Sequence, residues 1–134
     1  MSSIILLDQK RARKAWEFVT KKLDPKHKGE YYSVIRSFPS MIQSLGIGQS
    51  LAFLMSKGKP QHNALRAHLT DWLFDADSTV PWTTLPANFT KEASKLLERL
   101  MAEEDPQIWW YADEEAIAFS IWLKRFSESQ QEPS

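Results

Sequence analysis

A pair of glycines interrupts an apolar helical pattern in residues 38–57, and this interruption most constrains the fold. Apolar side chains recur at helical spacing after Pro39, which suits the first turn of a helix because its missing N–H would be unpaired there. Gly46 is expected to end this helix, and Gly48 gives the backbone freedom to turn before a second helix over residues 49–57. The stretch therefore predicts a tight corner between two helices.

The two glycines could instead belong to a phosphate-binding loop. Such loops follow a strand, carry further glycines and usually a lysine at fixed spacing, and none of these features surrounds Gly46 and Gly48. The sequence favours the helix corner.

Three motifs in a fixed order along the chain carry a resemblance to a known family. The longest comprises Phe38-Pro39-Ser40-Met41-Ile42 and the run from Leu45 to Leu54; the flanking ones are Gln9-Lys10-Arg11-Ala12 with Ala15, and Glu115-Ala116 followed by Trp122-Leu123-Lys124-Arg125-Phe126. These residues resemble the small subunit of Cmr-type CRISPR effector complexes, the type III-B RNA-targeting ribonucleoproteins. The motifs cover most of the chain apart from residues 75–104. Ser44 and Ile121 depart from the family pattern, in which Asn and a polar residue are expected.

The resemblance implies a function without catalysis. Small subunits of these complexes are helical, are present in several copies and stack along the groove where guide RNA pairs with target RNA, in defence against foreign nucleic acid. The implied partners are guide RNA, target RNA, the other subunits of the complex and further copies of the chain; no cofactor or membrane is implied. Because A-form RNA hides its major groove, contacts to the RNA backbone are expected.

Length and composition agree with a single helical domain. The chain has 134 residues, 43% of them apolar, and contains no cysteine, which excludes disulfides and thiolate catalysis and fits a cytoplasmic protein. The N-terminal apolar run Ile4–Leu7 is too short for a signal peptide or a membrane span. We expect a helical domain over residues 1–127 and a disordered polar tail over 128–134.

Helical periodicity recurs along the whole chain and predicts an all-α, compact single-domain bundle of five to six helices. The second predicted helix spans about Tyr31 to Phe38, and the two arms of the glycine corner follow it. Further helices are predicted over residues 61–74, from a cap at Asn88 or Thr90 onward, and from Asp105-Pro106 to Ser127. Residues 75–88 are expected to form the longest loop. The last helix is apolar around much of its circumference, which predicts either the central helix or one with a second apolar face for a partner.

Charge is segregated along the chain although the net charge is zero. Residues 1–68 contain 12 basic and 4 acidic residues, and residues 69–134 contain 5 basic and 13 acidic ones, so the halves carry +8 and −8. This asymmetry suggests one surface that faces a polyanion and another that meets a basic partner. The alternative is that the two halves interleave in space and their fields partly cancel.

The basic candidates for RNA contacts begin on the first helix, predicted from about Asp8 to Leu23. Lys10, Lys14 and Lys21 fall within about 40° of one another at about 100° per residue, and Arg11 borders that stripe. A solvated charged face is the alternative interpretation. Secondary candidates are Lys57, Lys59, Lys124 and Arg125, and the connector Lys26-His27-Lys28-Gly29 is a further plausible contact.

The acidic group Asp113, Glu114 and Glu115 is expected to form a subunit interface. In this hypothesis the basic surface of one copy meets the acidic surface of the next, giving a head-to-tail contact that does not close. Otherwise these residues are solvated charges near a helix N-terminus.

No residue pattern indicates an enzyme. The chain lacks a Ser-His-Asp or Cys-His arrangement, and His62, His68 and Asp71 offer only a weak case for a metal-dependent phosphohydrolase. We therefore predict no catalytic residues and no metal site. The alternative from another class is a free-standing helical adaptor that binds proteins and not RNA.

Overall fold

Residues 3–82 and 93–131 are described by a computed structural model of the protein, and these residues contain helices and no strand. The elements are α1 (Ser3–Glu17), α2 (Lys28–Lys57), α3 (Pro60–Leu73), α4 (Ala93–Ala102) and α5 (Pro106–Ser129). The prediction of an all-α bundle of five to six helices is confirmed. The proposed caps Asn88 and Thr90, part of the predicted loop 75–88 and the end of the tail lie outside the described residues.

The first helix changes type before it ends. It begins earlier than predicted, at Ser3, and continues after Glu17 as a π-helical turn, Phe18–Lys22. Such a turn bonds residue i to i+5, so it breaks the 100° register that placed Lys21 in line with the lysines upstream. Leu23 is extended, and Asp24 then caps the short 3₁₀ turn Pro25–His27 by accepting a hydrogen bond from the Lys26 N–H at 3.0 Å.

The corner predicted around two glycines is a break at Gly46 within α2. Gly46 has φ 83° and ψ 164°, a conformation open essentially to glycine alone, whereas Pro39 lies inside the helix without separating its turns. Past the break, the Ile47 N–H has no helical partner and donates to Asp113 Oδ1 at 2.7 Å. Gly48 is needed for a different reason: a Cβ there would lie 2.9 Å from Trp109 Cζ3. The corner is held by α5.

Helix α5 is the central element, as its apolar circumference predicted. It packs against α1, α2 and α3, and it begins where Asp105 accepts a hydrogen bond from the Gln107 N–H at 2.9 Å. Phe119 is fully buried and stacks on Trp72 with ring centroids 5.2 Å apart. The helix extends to Ser129, two residues past the predicted domain end. Within the described ranges, no helix is long and apolar enough to cross a membrane.

Several large apolar side chains that recur at helical spacing are exposed. Trp16 is 44% exposed, Leu45 51%, Met55 44% and Met101 66%. Each apolar stripe is wider than the contact its helix makes, so residues at the stripe edges remain at the surface. Helix α5 also exposes Trp110, Tyr111 and Ile121. The last helix therefore combines a buried face with an exposed apolar one.

Candidate nucleic-acid interface

Arg11, predicted to border an exposed basic stripe, is turned towards the core instead. Its guanidinium donates from Nε to Glu115 Oε1 at 2.8 Å and from Nη2 to Oε2 at 2.7 Å. The Glu115 side chain is fully buried, and it also accepts hydrogen bonds from Trp72 Nε1 at 2.7 Å and Thr79 Oγ1 at 2.6 Å. Burial alone would raise the pKa of Glu115, but the hydrogen bonds from these three side chains lower it below its usual value.

These contacts correct two expectations. Glu115 is neither solvated nor accessible to another copy, because it is 1% exposed and all its bonds are internal. Arg11 is held by a bidentate pair, and the same hydrogen bonds raise the pKa of its guanidinium. Both residues act inside the fold.

Lys10 and Lys14 also find acidic partners within the chain. Lys10 Nζ lies 3.1 Å from Asp77 Oδ1. Lys14 Nζ lies 3.7 Å from Asp71 Oδ2 and 5.5 Å from the centre of the Phe18 ring. The three main candidates on α1 are therefore ion-paired with groups from distant parts of the sequence, and the fourth, Lys21, lies in the π-helical turn. Helical periodicity placed these side chains but could not show what packs beside them.

A different set of cations lacks such partners. Lys21, Lys57, Lys59 and Lys124 form no ion pair or side-chain hydrogen bond with any described residue, although Lys57 stands 5.6 Å from the centre of the Phe53 ring. Arg125 pairs with Glu128 at 3.4 Å. Cations that are likewise free of described ion pairs are Arg13, Lys26, Lys28, Arg36 and Arg66, the last of which donates to Asn63 Oδ1 at 3.2 Å. Arg13 was missed because it lies about 60–100° around the helix from Lys10 and Lys14, although it belongs to the same basic run. Arg36 was missed because it is an isolated cation in the sequence.

The predicted acidic interface divides into three environments. Glu115 is buried, Asp113 is half-buried and Glu114 is exposed. Burial raises the pKa of Asp113, and the hydrogen bond from the Ile47 N–H partly offsets this rise. Neither Asp113 nor Glu114 forms an ion pair with a described residue. Asp113 closes the corner of α2, and Glu114 is the only carboxylate of the three that is fully available at the surface.

The histidines of the alternative metal site have structural partners. His68 is 6% exposed, stacks on Phe18 with ring centroids 4.4 Å apart, and shares a hydrogen bond of 2.8 Å between its Nδ1 and the Tyr31 hydroxyl. Burial lowers the pKa of His68 to about 4. His62 packs against Phe53, and its pKa is lowered by burial and by nearby lysines. Across the described residues, no three His, Asp or Glu side chains converge in a way that could hold a metal.

Comparison with known proteins identifies the family. The model of the family described as CRISPR-associated protein (Cas_Cmr5) matches residues 7–130. The chain belongs to this family. The resemblance read from the three motifs is confirmed, and the match spans all the candidate basic and acidic residues.

Both a relative in sequence and a solved structure come from Thermus thermophilus. The CRISPR system Cmr subunit Cmr5 is 28% identical over 120 residues, which cover 88% of this chain and 90% of that protein. The crystal structure of a CRISPR-associated Cmr5 family protein from the same organism superposes with a TM-score of 0.73 at 26% identity, covering 93% of this chain and 97% of the other. The five-helix arrangement is thus the fold of a known Cmr5 protein.

Proposed function

We propose that this protein is a non-catalytic small subunit of a type III-B CRISPR complex, in which several copies stack along the duplex of guide and target RNA. Membership of the Cas_Cmr5 family, matched over residues 7–130, is the observation that carries this proposal. The subunit contacts the RNA through phosphates and leaves sequence recognition to base pairing. Its partners are the RNA strands, the other subunits and further copies of itself.

The unpaired lysines support a specific RNA-facing surface. Lys21 and Lys26 lie between α1 and α2, and Lys28 is the first residue of α2; we call these three the connector lysines. Lys57 and Lys59 lie at the turn before α3. Tyr31 lies one turn after Lys28 and contacts His68. His68 is eight residues after Pro60, the first residue of α3. At 1.5 Å per residue, Pro60 and His68 lie about 12 Å apart along α3, so Lys59 adjoins one end of this stretch and the Tyr31 contact lies at the other.

This set replaces the stripe on α1 as the proposed interface. Cations already paired with carboxylates contribute little to phosphate binding, because the carboxylate must first be displaced from the ion pair. Lys10, Lys14 and Arg11 are paired in this way, whereas the connector lysines keep their charge open to solvent. The secondary candidates Lys57 and Lys59 thus become primary ones, together with Lys21.

Filter binding of an RNA duplex across salt concentrations tests the proposal. We expect dissociation constants of order 10⁻⁴ to 10⁻⁶ M for one isolated subunit, with affinity falling steeply as salt rises. Affinity that is absent, or unchanged by salt, contradicts RNA binding and favours a protein-binding adaptor. Purification of the native protein supplies a second check, since a subunit of this complex should come with a guide-RNA particle.

Two variants with equal loss of charge locate the surface. Lys57→Gln combined with Lys59→Gln should reduce the slope of log affinity against log salt by about 1 for each lost phosphate contact. The matched control combines Lys10→Gln with Lys95→Gln, two lysines paired with Asp77 and Glu98. If both variants weaken binding equally, the RNA contact is not at the α2–α3 turn.

A further inference from the structure

An acidic, apolar groove opens between α2, α4 and α5 around the Gly46 corner. Two adjoining depressions share Gly46 and Asp113, and we call them together the acidic groove. Its walls are formed chiefly by Leu45, Met101, Trp110, Asp113, Glu114 and Ile121. Four of these are large apolar side chains that are 42–66% exposed. An exposed apolar surface of this kind, rimmed by charge, is typical of an interaction site.

The carboxylates of the acidic groove offer a site for a cationic group. Asp113 and Glu114 have no cationic partner among the described residues, whereas Glu115 beside them is paired with Arg11. Within the part of the chain that the structure describes, Asp113 accepts one hydrogen bond, from the Ile47 N–H to Oδ1. An arginine or lysine on an apolar segment would satisfy both carboxylates and cover the exposed side chains.

The chain itself exposes such a segment on α1. Leu6, Gln9, Arg13 and Trp16 lie within about 80° of one another at about 100° per residue, and we call them the α1 stripe. All four are exposed, Leu6 by 48% and Trp16 by 44%, and Arg13 forms no ion pair or hydrogen bond with a described residue. The stripe thus combines an unpaired cation with two apolar side chains.

These two surfaces face different directions in one chain. Arg11 points at Glu115 of α5, and Arg13 is turned about 160° around α1 from Arg11, away from α5. Arg13 therefore cannot enter the acidic groove of its own chain. Two different surfaces that are complementary between copies produce a heterologous contact, which generates an open stack unless the rotation closes.

We propose that the α1 stripe of one copy docks into the acidic groove of the next, with Arg13 between Asp113 and Glu114. This inference rests on the proposed function, in which copies stack, and it names the surfaces that join them. The contact is weak between isolated copies because an exposed ion pair contributes little. In the complex, repeated copies along one RNA supply the missing affinity by raising the effective concentration.

Disulfide trapping tests the contact without altering its charges. The chain has no cysteine, so Gln9→Cys and Gln43→Cys each introduce one thiol, in the α1 stripe and in the groove wall. Mixing the two variants under mild oxidation should enrich the mixed disulfide over either homodimer. Ser37→Cys, exposed on another face of α2, replaces Gln9→Cys in the control mixture. Yields equal to this control overturn the proposal and leave the groove to another partner.

A charge exchange tests the role of Arg13. Adding Glu114→Arg to the Gln43→Cys protein should lower the mixed disulfide roughly three- to tenfold, because two cations then face each other. Adding Arg13→Glu to the Gln9→Cys partner should restore the yield. Asp113 stays unchanged because it holds the corner of α2. Failure of the second change to restore the yield contradicts this pairing.

The same proteins separate this inference from RNA binding. Neither Arg13 nor Glu114 belongs to the proposed RNA surface, so both charge variants should keep salt-dependent binding of an RNA duplex. Trapping without RNA binding supports the contact and contradicts the proposed function. RNA binding without trapping supports the proposed function and contradicts the contact between copies.

Discussion

At the scale of single residues, one buried carboxylate organises the contacts of the chain. Glu115 on α5 binds Arg11 of α1, Trp72 of α3 and Thr79 of the following loop. All of its hydrogen-bonding partners lie at least 36 residues away in sequence. Glu115 therefore acts as a tertiary anchor, although its sequence neighbours suggested a solvated acidic cluster.

Breaking this anchor should destabilise the protein strongly. Arg11→Met leaves Glu115 buried without its cation, a change that costs about 3–5 kcal/mol in comparable buried pairs. Lys10→Met, which removes an exposed ion pair with Asp77, should cost less than about 1 kcal/mol. Urea unfolding measures both free energies. Equal losses in the two variants would show that the Glu115 pair is not structurally important.

His68 should make the stability depend on pH. Its pKa is about 4 in the folded chain and about 6.5 when unfolded, so the unfolded state binds a proton more readily between these values. His68 therefore contributes about 3 kcal/mol to the free energy of unfolding. This contribution is fully present above about pH 6.5 and is lost as the pH falls through about 4.

His68→Gln tests this assignment because its amide oxygen can accept a hydrogen bond from Tyr31 but does not titrate. We expect the wild type to lose about 3 kcal/mol more than the variant between pH 7 and pH 4 in urea unfolding. Contributions from Asp113 and Glu115 are common to both proteins. Identical pH profiles would assign the pH dependence to other groups.

At the scale of elements, the break in α2 depends on backbone conformation. Gly46 has a positive φ and an extended ψ, and its corner is completed by the carboxylate of Asp113. The break separates the arm that contacts α3 through Tyr31 from the arm that ends at Lys57. The corner therefore orients the proposed RNA surface and also forms the floor of the acidic groove.

Two glycine substitutions in α2 should have opposite effects. Gly46→Ala forces a side chain into a strained conformation and should cost about 1–3 kcal/mol. Gly29→Ala adds a methyl group where no atom lies within 4 Å and should stabilise the helix by about 0.4–1 kcal/mol. Thermal unfolding measures both. A neutral Gly46→Ala variant would mean that the corner does not require glycine.

At the scale of the whole molecule, the division of charge along the sequence is only partly preserved. Several cations of the first half pair with carboxylates of the second, as in the contacts of Lys10, Arg11 and Lys14. Around α1, therefore, the two halves of the sequence interleave in space and their charges partly cancel. Among the described residues, the charges without an ion-pair partner include the connector lysines and the carboxylates of Asp113 and Glu114.

Charged side chains without an ion-pair partner should make self-association of the protein depend on salt concentration. The Debye length is about 30 Å at 0.01 M salt and about 8 Å at 0.15 M, so attraction between copies should weaken as salt rises. Sedimentation of the wild type should show more association at low salt, and Glu114→Arg should reduce it. Association that grows with salt would indicate a contact driven by apolar surface alone.

The sequence by itself determined the helical class, the corner at Gly46, the start of α5 at Asp105-Pro106 and the family. These features are local, since caps, glycine conformations and apolar periodicity act within a few residues. Only the tertiary structure decided that Arg11 and Glu115 are buried together, that Trp16 and Leu45 are exposed, and that a π-helical turn shifts Lys21. Those outcomes depend on which helices pack side by side. Glu115 lies 104 residues from Arg11 in the sequence, so the residues next to Arg11 give no sign of this partner.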